Sequence, residues 1–318
     1  MIIKQHCTMD GIKERRLASY VDAMKEASEI IRKRNPDYLV APMAGSIPFI
    51  DAMAVVDDDF DTSRVVYMPA SSRIEDVSNV IVDWYHNFLN STVTDFHEFP
   101  EILGIDEVVS GSSVARCLKN IDKAVARKRK EVLQGLIEKV HSSDNAEVAE
   151  ATREADILTE NQYSRDFSLM RDRVHRGVYR ARPDLSRQDA QFLIDGAKAS
   201  LNKKMAYRTI GIEDSKKPIR SATYQELKDA GRVIPVGVEK IISMDDPNFS
   251  TADFEVIKEE NNEYVRYSPK VIGFSINPKY LEFLSALARY VGKDPDRVSP
   301  VNMSAILESS KYLSKKTE

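Results

Sequence analysis

Residues 102–114 read Ile102-Leu-Gly-Ile-Asp106-Glu107-Val-Val-Ser110-Gly111-Ser112-Ser113-Val114, and their order decides the fold. An apolar run of strand character delivers two acids and then a Ser/Gly-rich turn, after which the pattern turns helical. Ser and Asp favour helix N-caps, and Gly lets the chain turn tightly. A strand that feeds a helix through a short polar turn is the repeating unit of α/β proteins, whose sheets are mainly parallel.

The same unit recurs upstream. Tyr38-Leu-Val-Ala41 leads into Pro42-Met-Ala44-Gly45-Ser46 and a helical pattern over Ile47–Val56, and Arg64-Val-Val-Tyr-Met68 leads into Pro69-Ala-Ser71-Ser72-Arg73. Ahead of both, Leu17, Tyr20, Val21, Met24, Ala27, Ile30 and Ile31 recur at helical spacing between Ile12 and Arg34, and Asn35-Pro36 closes that run. Val77–Leu89 predicts a further helix, in which Trp84, Tyr85 and Phe88 are spaced for burial. All three polar loops fall at the carboxyl ends of predicted strands, where open α/β sheets bind ligands.

Downstream, Val114 to Ala199 is almost wholly helical in pattern, far more chain than a parallel crossover needs. Strand character returns at Ala206–Ile212 and Val233–Ile242, which completes the sheet. The predicted organisation is therefore a first core part with an N-terminal helix over 1–127 and a helical insertion over 128–200. A second core part follows over 201–247, then a hood-like or accessory segment of α+β character over 248–318. In that last segment one strand, Val271–Ile276, and helices beginning near Pro278 and Asn302 are expected.

A net charge of −4 gives no argument for general nucleic-acid binding, although local clustering can still make a basic face. The insertion does concentrate Arg165, Arg171, Arg173, His175, Arg176, Arg180, Arg182 and Arg187, which suits a nucleotide or nucleic-acid surface. Interleaved Asp166, Asp172, Asp184 and Asp189 favour instead a solvated or intersubunit charged helix. Cys7 and Cys117 stand alone, so neither a disulfide framework nor a zinc site is expected, and the five His residues lack metal spacing or triad partners. Met1–Asp10 has no apolar run suited to a signal peptide, and no stretch is long and apolar enough to span a membrane, so the expected location is cytoplasmic.

The turn Ser110-Gly111-Ser112-Ser113 at a helix N-terminus can offer backbone N–H groups and hydroxyls to a phosphate. Asp106 and Glu107 can accept hydrogen bonds from the vicinal hydroxyls of a ribose. Here the chain resembles the signature of type I phosphoribosyltransferases, in which an apolar strand, two acids, two apolar residues and a Thr/Ser-Gly loop bind 5-phosphoribosyl 1-pyrophosphate. The family pattern has one more residue between its acids and its Gly. Either the loop is shorter in this chain, or Asp106 takes the second acidic position and Ile105 stands at the first.

The resemblance covers about residues 37–126 and 205–246 and implies a Mg2+-dependent transfer at ribose C1. It implies that Asp106 and Glu107 hold the ribose and its metal, with Ser110, Gly111, Ser112 and Ser113 on the 5-phosphate. Ala44, Gly45, Ser46, Ser71, Ser72 and Arg73 would then line the pyrophosphate side. The segment over Val271–Ile276 is similar to the one that covers the base in purine-salvage members, but Val271 stands in place of a stacking aromatic and Pro278 in place of an acid. Purine specificity therefore does not carry over, and Phe274 reads as core. Two alternatives stay open: the 110–113 turn as a plain N-capped helix start, and Arg73 as a solvated side chain. The expected function is a phosphoribosyltransferase acting on 5-phosphoribosyl 1-pyrophosphate or a nucleotide 5′-phosphate, as a homo-oligomer or part of a complex. The rival is an effector or sensor of the same fold in a bacterial toxin or phage-defence system, for example retron-type, without salvage activity.

Overall fold

A computed structural model of the chain describes residues 14–43, 45–71, 74–92, 100–142, 207–241, 250–260, 265–298 and 300. The chain divides into two compact units, one of residues 1–84, 102–119 and 207–318 and the other of residues 85–101 and 120–206.

The first unit is built on a five-stranded, fully parallel sheet. Its strands are β1 (Tyr38–Pro42), β2 (Val65–Met68), β3 (Ile102–Val108), β4 (Arg208–Asp214) and β5 (Val233–Val238), in the order β2-β1-β3-β4-β5. The strands at Arg208 and Val233 do complete the sheet. Apolar runs rather than alternation mark β1 and β2, as befits strands covered on both faces. Six helices are described: α1 (Glu14–Arg34), α2 (Ile47–Val56), α3 (Val77–Thr92), α4 (Ser112–Ser142), α5 (Ala222–Asp229) and α6 (Pro278–Tyr290). α1 stops where Asn35 takes a φ of 44° ahead of Pro36.

One face of the sheet buries the main core. Leu17, Tyr20 and Met24 of α1, Phe49 and Met53 of α2, and Phe283, Leu284 and Leu287 of α6 cluster with Leu103 and Ile105 of β3 and Ile210 and Ile212 of β4. The Tyr20 ring stands edge-on to Phe283 at 5.0 Å between centroids. Tyr280 of α6 donates a buried hydrogen bond to Asp51 of α2. Part of the segment read as accessory, 248–318, thus packs into the central core. That segment also holds a strand the sequence did not suggest: β6 (Ser250–Glu260) pairs antiparallel with β7 (Val265–Ile276) as a two-stranded ribbon.

In the second unit, His86 is buried and its Nε2 lies 2.7 Å from Glu131. Lys128 Nζ bonds Asn90 Oδ1 at 2.5 Å in the same unit. Trp84, Tyr85 and Phe88 are buried, as their spacing predicts. The Arg-rich stretch 165–187, the helix expected near Asn302, and Cys7 lie outside the described residues.

Candidate functional site

The pairing of β3 creates the site. β1 and β3 stay in register from Tyr38↔Ile102 to Val40↔Gly104, and β3 then runs on against β4 alone, through Asp106↔Gly211 and Val108↔Glu213. Asp106 and Glu107 therefore stand past the last β1–β3 pair. This is also where the sheet order changes direction, since β1 has β2 on one side and β3 on the other. Crevices at such switch points are the usual ligand sites of open α/β sheets.

A cleft of about 200 Å3 opens there, walled by Pro42, Met43 and Gly45 after β1, Ala70 and Ser71 after β2, and Asp106, Glu107, Ser110, Gly111 and Ser113 after β3. Gly45 brings its bare α-carbon up to both acids. A β-carbon at that position would sit 3.3 Å from Asp106 Oδ1 and 3.9 Å from Glu107 Oε2. The two carboxylates thus converge on the loop for which the family resemblance implies a pyrophosphate role.

The 110–113 turn depends on Gly111, which adopts a φ of +79°. Its α-carbon also packs against Tyr224 of α5 so closely that a β-carbon would lie 2.7 Å from the Tyr224 side chain. Ser110 and Ser112 share a hydroxyl hydrogen bond of 2.7 Å, which fixes the turn as α4 begins. At the start of α4 the Ser112 amide donates to the Ser110 hydroxyl oxygen at 3.4 Å and the Ala115 amide to the Gly111 carbonyl at 3.0 Å, while Ser113 and Val114, which line the cleft, carry first-turn amides of the kind a helix leaves without a carbonyl of its own.

Asp106 is buried, and Oδ1 accepts the Glu107 backbone N–H at 2.9 Å. Burial pushes its carboxyl up to about 8, helped by the neighbouring Glu107 carboxylate and opposed by that N–H and by the Arg116 guanidinium. At neutral pH Asp106 therefore tends to keep its proton. Cys117 also lines the cleft, but burial and the nearby Asp106 carboxylate hold its thiol well above the usual range, which makes it a poor nucleophile.

Not every predicted residue faces the cleft. Ser46 is buried and gives its hydroxyl hydrogen to the Pro42 carbonyl, so its side chain supports the loop. Ser112 is exposed at the first turn of α4 and does not wall the cleft. Ala44, Ser72 and Arg73 lie outside the described residues.

The structure also assembles a cluster that sequence reasoning missed. The Tyr224 hydroxyl donates to Glu213 Oε1 at 2.5 Å, and Lys228 Nζ lies 3.1 Å from the same oxygen. Burial, with the hydrogen bond to Glu213 adding to it, holds the Tyr224 phenol far above its ordinary pKa, so this proton stays put. A signal existed: Gly211-Ile212-Glu213-Asp214 ends β4 with the same glycine, isoleucine and two acids as Gly104-Ile105-Asp106-Glu107 in β3.

Comparison with known proteins finds no matching family model, no matching curated relative and no matching solved structure. The reading of the cleft rests on its own chemistry.

Proposed function

We propose that this chain binds a phosphoribosyl ligand, either 5-phosphoribosyl 1-pyrophosphate or a nucleotide 5′-phosphate, in the cleft after β1 and β3. The observation that carries this reading is the convergence of Asp106, Glu107, Gly45 and the 110–113 turn on one cavity. Amides at the start of α4 and the Ser110 and Ser113 hydroxyls take the 5-phosphate. Glu107, and Asp106 once deprotonated, accept hydrogen bonds from the ribose hydroxyls.

The donor set fits a shared Mg2+. Such ions are usually held by one or two carboxylates, with substrate phosphates and water completing the shell. Glu107 supplies one and Asp106 a second once it is deprotonated, and among the described residues no group of three or more His, Cys, Asp or Glu side chains forms a cage. The two carboxylates would hold the ion beside the cleft, and the chemistry it would supply is positive charge to offset that of a pyrophosphate leaving group. In transfer, the bond from C1 to the pyrophosphate oxygen breaks with its electrons leaving on pyrophosphate, and the acceptor's lone pair forms the new bond to C1. The protein's part is position and charge, with Glu107 beside the ring as positive charge develops there.

The second reading is an effector or sensor that binds a nucleotide monophosphate without transfer. What favours it is the raised Asp106, because a protonated carboxyl donates a hydrogen bond and does not hold a cation. Calorimetric titration separates the two. Under the transferase reading, 5-phosphoribosyl 1-pyrophosphate with Mg2+ binds at micromolar affinity, ribose 5-phosphate binds far more weakly, and Asp106→Asn with Glu107→Gln removes the Mg2+ dependence. Equal affinity for AMP and 5-phosphoribosyl 1-pyrophosphate without Mg2+ would favour the sensor, and no binding of any of them would sink both.

A further inference from the structure

α4 carries a one-sided distribution of charge that the cleft chemistry does not use. At 3.6 residues per turn, Ser112, Arg116, Lys119, Lys123 and Arg127 fall within an arc of about 80° on this single helix. Val114, Cys117, Leu118 and Ile121 fill the opposite side and are buried. Lys119, Lys123 and Arg127 are exposed, so the stripe is the solvent side of the helix. Lys119 and Lys123, and again Lys123 and Arg127, are like charges four residues apart, a spacing that disfavours a helix in water. Neither lysine makes a hydrogen bond or ion pair among the described residues. Asp122 lies outside the arc, and Glu131, at the far end, is engaged by His86 at 2.7 Å and by Arg127 at 3.5 Å. α1, by contrast, interleaves its charges and pairs Glu29 with Lys33 at 2.8 Å. From Ser112 to Lys123 the stripe runs about 16 Å, and its uncompensated cations match a chain of phosphates.

The cleft sets the direction of that chain. The stripe begins at Ser112, in the turn proposed to take the 5-phosphate, and Arg116 on the next turn of α4 acts electrostatically on Asp106. A strand that continued from the ribose 3′ oxygen would press a phosphate against Asp106 and Glu107, which repel it. A strand that continues from the 5-phosphate runs onto the cations and leaves the 2′ and 3′ hydroxyls for the two acids. Only the end of an RNA strand keeps that vicinal diol.

We propose that the ligand of the cleft is the 3′-terminal nucleotide of an RNA strand, with the preceding phosphodiesters laid along the basic stripe of α4. This rests on the phosphoribosyl reading of the cleft and names its substrate class. Fluorescence anisotropy of the full chain with a short oligouridylate labelled at its 5′ end, in Mg2+, is the test. The slope of log K on log salt is expected to be about −2, from about 0.7 for each of three phosphate contacts. Lys119→Gln with Lys123→Gln should reduce the slope to about −0.7 and weaken binding by about tenfold or more at low salt. Both positions are exposed, and unchanged calorimetric affinity for ribose 5-phosphate in the double variant shows that the cleft is intact. A strand ending in a 2′,3′-dideoxynucleotide should bind about fivefold more weakly, since the acids lose both hydroxyls. The inference is overturned by absence of oligouridylate binding at low salt, by a slope that the double variant leaves unchanged, or by equal affinity for the dideoxy-ended strand. Phosphatidylserine vesicles bound as tightly through the same lysines would overturn it as well. If ribose 5-phosphate binds in any of those cases, the cleft reading stands without RNA. If ribose 5-phosphate does not bind, the cleft reading falls and this inference falls with it.

Discussion

Replacing Asp106 with Asn should stabilise the first unit, and by an amount that grows with pH. Asp106 titrates near 8 in the folded chain against an ordinary value of 3.8, because burial and the Glu107 carboxylate both disfavour its charged form. A raised carboxyl contributes its stability in full below the unfolded value, and that contribution is lost as pH rises through the folded one. Each pH unit inside the window costs about 1.4 kcal/mol, so going from about pH 5 to about pH 8 removes on the order of 4 kcal/mol from the wild type. Asn has no proton to lose, and its Oδ1 can keep the bond from the Glu107 N–H. For a unit of this size, that difference corresponds to roughly 10 °C in melting temperature. Trp84 is the single tryptophan and is fully buried in the first unit, so its fluorescence reports the right transition. The Asp106→Asn melting temperature should rise above the wild type's progressively between pH 5 and 8. Two curves that stay parallel over that range would refute the burial argument.

The remaining predictions follow from the same geometry. Affinity for a Mg2+-loaded phosphoribosyl ligand should tighten by up to about tenfold per pH unit from pH 6 toward 8, as Asp106 gives up its proton, measured by calorimetry with a buffer-ionisation correction. Gly111→Ala should destabilise the first unit by about 1–3 kcal/mol in urea melts and weaken phosphate binding, since it meets both a positive φ and the Tyr224 side chain. Tyr224→Phe should cost about 1 kcal/mol in the same melts, because Glu213 keeps Lys228 as a partner. Tyr280→Phe should cost about 1–3 kcal/mol, because the Asp51 carboxylate would then lose a buried donor.

Much of the sheet was legible because its strands are apolar runs that end in Gly, Ser and acids. The β1, β2 and β3 loops could be aligned on one edge before any coordinates. Other features had no local signature. β6 reads Ser-Thr-Ala-Asp-Phe-Glu-Val-Ile-Lys-Glu-Glu, and its charges mimic a solvated stretch, while its strand state comes from pairing with β7. Asp51 and Tyr280 are 229 residues apart, so only the fold brings that acid and phenol together and draws α6 into the core. The loss of Ser46 from the cleft wall is likewise a matter of rotamer, since its hydroxyl donates to the Pro42 carbonyl at the end of β1. Tyr224, Glu213 and Lys228 meet because α5 lies over the Gly111 turn. The repeated Gly-Ile-acid-acid ending of β4 hinted at Glu213 but at neither of its partners.

The most direct test of the central claim is a crystal structure of the protein with ribose 5-phosphate and Mg2+ at pH 8. The account predicts the phosphate on the amides of Ser113 and Val114, with the ribose hydroxyls against Asp106 and Glu107 and the ring over Gly45. Ligand density elsewhere on the chain, with the β1–β3 cleft empty at saturating concentration, would contradict it.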